Sequence, residues 1–306
     1  MTSAALGTVL DALAEEAPEP VARGRAALER TLAWTGRTSW GDVAWSFSDL
    51  AGGCPVELVW RPGWPGLFWT AEPAAPEWPT PRRMKRALAL ARMFGARFDR
   101  AQAARLGVMV ARSAPWPVWL GGRHDASGDE TKLYALIDAD AVGGSPLLRG
   151  DDCPVMLGLS PDGGTELYWR RRSRLPGDRW RLAREPGLAP LVDRLDAALV
   201  DWTGNGLEVE SAGRIGLSLK RSRMDEPEAL AAFVRVRQAG GEAALRERLL
   251  AAGGDGNPAL ARLWAAGRLR PMFLTLAVTP NAMKPSIGFR MNLSARNARQ
   301  MPELQP

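Results

Sequence analysis

Two short segments, the apolar run 155–159 and the alternating run 165–170, are joined by Pro161-Asp162-Gly163-Gly164. Asp-Gly between two strand-like runs is a tight-turn signal, and a tight turn fixes the strands that it joins as antiparallel. The alternation recurs along the chain. In residues 131–138, Lys132, Tyr134, Leu136 and Asp138 fall on one side and Leu133, Ala135 and Ile137 on the other, because successive strand side chains point to opposite faces. Residues 55–61, 67–72, 213–220, 271–279 and 285–293 read in the same way, as do 43–48 and 106–112, and residues 231–237 read as a further strand or a short helix. The Gly52-Gly53 pair reads as the turn between 43–48 and 55–61.

Helical periodicity fills the intervals. Apolar residues recur three and four apart in residues 4–17, 20–32, 81–94, 188–202, 242–252 and 258–266, and Pro81 suits a first helical turn. Parallel βαβ units would need a helix at every connection, whereas these hairpins need none. About ten antiparallel strands with helices along one face approach the size at which an open sheet curls or closes. The expected fold is therefore α+β: a closed antiparallel barrel of about ten strands with a solvent-filled lumen and outer helices, which removes both sheet edges. One domain over residues 1–306 is expected, with helices of residues 1–39 packed outside and a loose tail at 297–306.

If helices cover the apolar faces, the other faces line the lumen. That set contains Glu57, Arg61, Lys132, Tyr134, Glu166 and Tyr168, with Arg170, Arg214, Ser218, Lys220, Arg235, Arg237, Ser286, Arg290 and Asn292. The alternative for any one strand is a solvated outer face. A cationic lumen would hold phosphate oxygens, with arginine able to make two-pronged hydrogen bonds. The net charge of +6 agrees with an acidic partner, whether nucleic acid, an anionic membrane surface or a phosphorylated small molecule; biased residue usage would produce the same charge.

Other chemistries are disfavoured. With two cysteines and one histidine, neither a structural zinc site nor a disulfide framework is expected. No Gly-x-Ser-x-Gly elbow occurs. Asp151-Asp152 continues as Cys153-Pro154-Val155, so the aspartate-rich motif that holds diphosphate through Mg²⁺ is missing. No apolar run approaches the ~18 residues of a membrane span, and Glu15 and Glu16 interrupt the first apolar segment. A cytoplasmic protein is the expectation, without a membrane partner and with no metal.

Several motifs, in order, resemble a known family. Gly53-Cys54-Pro55-Val56-Glu57 followed by an alternating strand resembles the first barrel segment of indole prenyltransferases with the ABBA (prenyltransferase-barrel) fold. Residues 119–125 leading to Lys132-Leu133-Tyr134 resemble that family's Lys-x-Tyr strand, Glu166-Leu167-Tyr168-Trp169 a later one, and residues 274–280 with Ile287-Gly288-Phe289 the closing hairpin. The resemblance spans about residues 40 to 293. It implies transfer of an allylic group, dimethylallyl or geranyl, from its diphosphate to an indole, tryptophan-like or other aromatic acceptor, free or within a peptide. It implies Glu57 as the base at the indole N–H, and Arg61, Lys132, Arg214, Lys220 and Arg290 as diphosphate ligands. Tyr134 and Tyr168 would shield the allyl cation, and prenyl diphosphate would be a co-substrate with no cofactor. The chain departs from the family in three places. Phe68 stands where an arginine is usual, with Arg61 as the nearby substitute; Glu166 stands where a second lysine is usual; and the chain has only two tyrosines. A non-catalytic barrel that binds an anionic small molecule and a basic nucleic-acid-binding protein are the competing readings.

Overall fold

The computed structural model describes residues 4–37, 54–75, 77–110, 117–138, 147–150, 152, 155–171, 177–208, 214–253 and 258–291. Among them are ten strands: β1 (Val56–Trp60), β2 (Gly66–Ala71), β3 (Val118–Asp125), β4 (Gly128–Ile137), β5 (Val155–Leu159), β6 (Thr165–Arg171), β7 (Ile215–Arg221), β8 (Pro227–Arg235), β9 (Leu269–Val278) and β10 (Met283–Met291). Each pairs antiparallel with its neighbours in sequence, and β10 pairs back onto β1 through Leu58↔Phe289, Val59↔Gly288 and Trp60↔Ile287. The sheet is a closed barrel, as the hairpin signals required.

The helices are α1 (Ala4–Ala14), α2 (Pro18–Thr31), α3 (Thr80–Met93), α4 (Arg100–Met109), α5 (Asp178–Ala183), α6 (Ala189–Thr203), α7 (Glu242–Gly253) and α8 (Pro258–Ala265). α1 and α2 pack together, and α2 lies on β2 and β3; α3 lies on β3 and β4, and α6 on β8 and β9. The apolar half of every alternating strand faces these helices. Leu133, Ala135 and Ile137 of β4 and Val56, Leu58 and Trp60 of β1 are buried in one continuous core with Leu28, Leu90 and Leu195 from α2, α3 and α6. Removing each such leucine from water contributes about 2 kcal/mol, so the barrel's main core lies outside its wall and leaves the lumen to polar groups.

Two expectations change in the middle of the chain. Residues 106–110 do not form a strand, and residues 111–112 lie outside the described residues. The Asp99 carboxylate accepts the Gln102 N–H (3.0 Å), which caps a helix that runs to Met109 and packs on β4 and β5; an isolated bridge, Val110↔Ile137, follows it. The strand beside β4 is β3 instead. Its Gly121-Gly122 pair looks like a breaker in sequence but is needed for packing: a Cβ on Gly121 would meet the Tyr134 ring at 2.8 Å. Residues 231–237 divide, the strand β8 ending at Arg235 and a short 3-10 turn following. The expected strand at 43–48 and the Gly52-Gly53 turn lie outside the described residues; β1 makes its hairpin with β2. Among the described residues no helix is long and apolar enough to cross a membrane.

Candidate active site

The barrel encloses a cavity of about 450 Å³ that opens at the hairpin end, where Arg61, Glu130, Lys220, Glu228 and Lys284 stand. Its far end is closed by aromatic packing. Trp34, Trp119 and Met156 form a buried cluster there, with Trp78, Leu136, Tyr134 and Tyr168 packed against it. Of these tryptophans only Trp119 lies on a strand, on the inward side of β3 opposite Tyr134.

Six predicted site residues line the cavity: Glu57, Arg61, Lys132, Tyr134, Tyr168 and Lys220. Arg214 and Arg290 do not. Arg214 is exposed just before β7, and Arg290 lies near the end of β10, close enough to Cys54 to act on its thiol. Both have the inward parity of their strands but lie at the closed end, since alternation gives the face of a strand and not the depth. Arg235 and Arg237 are exposed near the end of β8, and Arg170 is likewise absent from the cavity wall. Asn292 lies outside the described residues. Two cations of the wall, Arg123 and Lys284, were not anticipated.

Glu57 points inward from β1, and its carboxyl presses against Gly288 of β10, where any Cβ would collide with it. It has no hydrogen-bond or ion-pair partner among the described residues. Burial alone pushes its carboxyl up to about 8, because an unpaired carboxylate loses hydration that nothing replaces. The second carboxyl of the cavity is its opposite. Glu166 accepts from the Lys132 ammonium and from Ser218 Oγ (2.6 Å). Burial would raise it, but Lys132, Ser218 and Tyr168 outweigh burial and hold it below the usual carboxylate range. Burial pulls the Lys132 ammonium down, and Glu166 and Tyr134 more than reverse this.

The tyrosines stand edge to face, with ring centroids 5.9 Å apart. The Lys132 ammonium lies 5.3 Å from the Tyr134 ring and 5.6 Å from the Tyr168 ring, and 3.3 Å from the Tyr168 hydroxyl. These two π faces already solvate one cation. Burial keeps both phenols neutral, above their ordinary values. Gly158 of β5 makes room for this group, for a Cβ there would meet Lys132 Cε at 2.9 Å. Lys220 is paired with Glu228 (2.8 Å). At the mouth, Arg61 and Arg123 lie 5.3 and 5.7 Å from the Phe68 ring, so two guanidiniums flank it. Among the described residues no group of three His, Cys, Asp or Glu side chains is placed to hold a metal ion.

No family model matches the sequence, and neither does any curated protein. Solved structures do match. A 5-dimethylallyl tryptophan synthase from Streptomyces coelicolor, solved with DMASPP and Trp, superposes with a TM-score of 0.66 at 17% identity, over 99% of this chain and 96% of that one. The prenyltransferase PriB, in a ternary complex with L-tryptophan and dimethylallyl thiolodiphosphate, gives 0.62 at 16% over 92% and 94%. AnaPT from Neosartorya fischeri gives 0.60 at 11% over 93% and 92%. Across nearly its whole length, the chain has the fold of these three proteins.

Proposed function

We propose that the protein is an aromatic prenyltransferase that takes an allylic diphosphate, dimethylallyl or geranyl, and alkylates an indole, tryptophan-like or other aromatic acceptor without a metal. One observation carries this reading: an unpartnered carboxyl, Glu57, faces the same barrel cavity as two edge-to-face tyrosines, with cations at its mouth. The coarse expectations from the sequence, a barrel lumen with a carboxyl, phenols and cations inside, support it, and so do the solved prenyltransferases that share the fold.

The chemistry follows from the groups present. The allylic C–O bond breaks, and the diphosphate leaves with the bonding electron pair toward fixed cations, which stabilise the charge as it develops. Tyr134 and Tyr168 present π faces to the allyl cation and keep water from it. A carbon of the aromatic ring attacks the cation to form the C–C bond, and the ring proton passes to the ionised carboxylate of Glu57. An acceptor N–H that hydrogen-bonds Glu57 orients the ring and favours the carboxylate form. Incubating the protein with dimethylallyl diphosphate, tryptophan or an indole, and EDTA tests this: a product heavier by one prenyl group is expected. Diphosphate binding without any such product would leave a binding protein, and salt-sensitive nucleic-acid binding without diphosphate binding a nucleic-acid protein.

A further inference from the structure

We infer that the outer face of α3 and α4 is a docking surface for an acidic protein segment, separate from the lumen and independent of the prenyl-transfer reading.

The charge of the chain is concentrated there. Residues 80–109 hold eight Lys and Arg and one carboxylate, Asp99, a net +7; the whole chain is +6, so all the other residues together are −1. Six of the eight cations are exposed: Arg82, Lys85 and Arg92 on α3, and Arg97, Arg100 and Arg105 before and along α4. The other two, Arg83 and Arg86, donate to the Trp78 and Pro73 carbonyls. None of the six exposed cations has an ion pair among the described residues. Arginines exposed on other faces do have one, Arg179 with Asp193 (2.7 Å) and Arg262 with Glu16 (3.6 Å). Asp99 is engaged in capping α4. Like charges along one helix face destabilise it, and an anionic partner offsets that repulsion.

The two helices present this surface together. Both lie on β4, α3 with β3 beside it and α4 with β5. Their exposed positions keep helical spacing: 82, 85, 89 and 92 on α3, and 101, 104, 105 and 108 on α4. α4 is thinly covered, with ten residues of which only Leu106 is buried, and a helix that short is marginal on its own in water. Between the cations stand Ala89, Ala101 and Ala104, short enough to let another backbone approach. Met93 and Val108 stand out among them, 58% and 77% exposed.

This composition fits a polypeptide. Five of the six exposed cations are arginine, whose fork meets a carboxylate through two parallel hydrogen bonds. Arginine and methionine with few carboxylates is the composition of protein interfaces. A bilayer surface is met by exposed aromatic or leucine side chains, and nucleic-acid bases by exposed rings; neither α3 nor α4 exposes any of these. α4 starts at the hairpin end of the barrel, where Gln102 Nε2 donates to the Gly163 carbonyl (2.9 Å). A docked partner therefore lies beside the mouth and leaves the lumen open.

Fluorescence anisotropy at low salt tests this, with the full-length chain and a labelled helical peptide of Glu and Ala, roughly 15 residues long to match α3. One-to-one binding is expected. Arg92→Glu with Arg105→Glu should weaken it by about tenfold or more. Arg268→Glu with Arg270→Glu makes the same change in net charge at exposed positions beside and on β9, which faces β4 across the ring of strands; it should weaken binding by less than about threefold. Val108→Asp keeps every cation and should also weaken binding, by about tenfold. Should Arg92→Glu with Arg105→Glu not fold, Lys85→Glu with Arg97→Glu carries the same expectation. Equal weakening by the β9 pair, or a wild-type chain that does not bind the peptide, would overturn the inference. Tighter binding of phosphatidylglycerol vesicles or of a DNA duplex than of the peptide would overturn it too, and would assign the face to lipid or nucleic acid.

Discussion

Glu57→Gln should make the protein more stable and inactive, and the pH dependence of both effects should come from one group. Glu57 is held at about 8 against an ordinary 4.5. The folded chain therefore binds an extra proton between those values. By linkage, stability is unaffected below the lower value, falls as pH rises through the interval, and levels off above the upper one. At about 1.4 kcal/mol per pH unit, a rise of roughly 3.5 units amounts to about 5 kcal/mol. Water in the open lumen reduces this, so about 2–5 kcal/mol is the expected range. Glutamine has the same shape and no proton to lose. Urea denaturation of both proteins at pH 5 and pH 8.5 would show near parity at the first pH and a more stable variant at the second. Activity should run the other way, since the ring proton needs a carboxylate. Wild-type kcat/KM should rise about tenfold per pH unit and flatten near 8. An equal stability gap at both pH values would refute the reasoning, because Glu57 would then not be titrating in that interval.

Gly288→Ala places a methyl group in the space of the Glu57 carboxyl; steady-state kinetics should show a fall in kcat of tenfold or more, with a stability loss of about 1–3 kcal/mol from overpacking. Tyr168→Phe keeps the π face and should stay within about threefold of wild-type turnover, whereas Tyr168→Leu removes it and should lose about 1–2 kcal/mol of cation stabilisation, roughly tenfold or more in kcat. Arg171 lies outside the lumen, 1% exposed, between Asp152 (3.3 Å) and Asp178 (2.7 Å). Arg171→Met leaves those carboxylates without their buried arginine and should lower stability by about 3–5 kcal/mol, while the KM for the donor in the folded protein stays unchanged.

How far the fold could be read from sequence depended on which physical signal each segment carried. Hairpin turns such as Asp162-Gly163 fix strand direction locally, so β5–β6 and β9–β10 were legible, and the periodicity of α3 and α6 showed in their apolar residues. β3 was hidden because its glycines answer to a packing need on another strand, the space for Tyr134, which no local propensity reports. The strand expected at 106–112 falls partly on the end of α4, because so short an apolar run carries no helical period of its own and the Asp99 cap that starts the helix lies upstream of it. For the site, alternation placed Glu57, Arg61, Lys132, Tyr134, Tyr168 and Lys220 on the correct face. It could not supply depth, which is why Arg214 and Arg290 were expected in a lumen they do not line. Arg123 and Lys284 were missed for a related reason: they meet at the Trp64 ring, 4.7 and 5.3 Å away, only because the barrel closes. Glu166 looked like a missing cation in sequence, and in space it is the partner of the cation that remains.

The most direct test of the account is the mass of the product formed from dimethylallyl diphosphate and an indole acceptor in the presence of EDTA, with wild-type protein and Glu57→Gln compared side by side. The account predicts an acceptor heavier by one dimethylallyl group with the wild type and almost none with the variant, pyrophosphate affinity being equal in both. No prenylated acceptor from a folded wild-type protein that binds pyrophosphate, or undiminished product from Glu57→Gln, would contradict it.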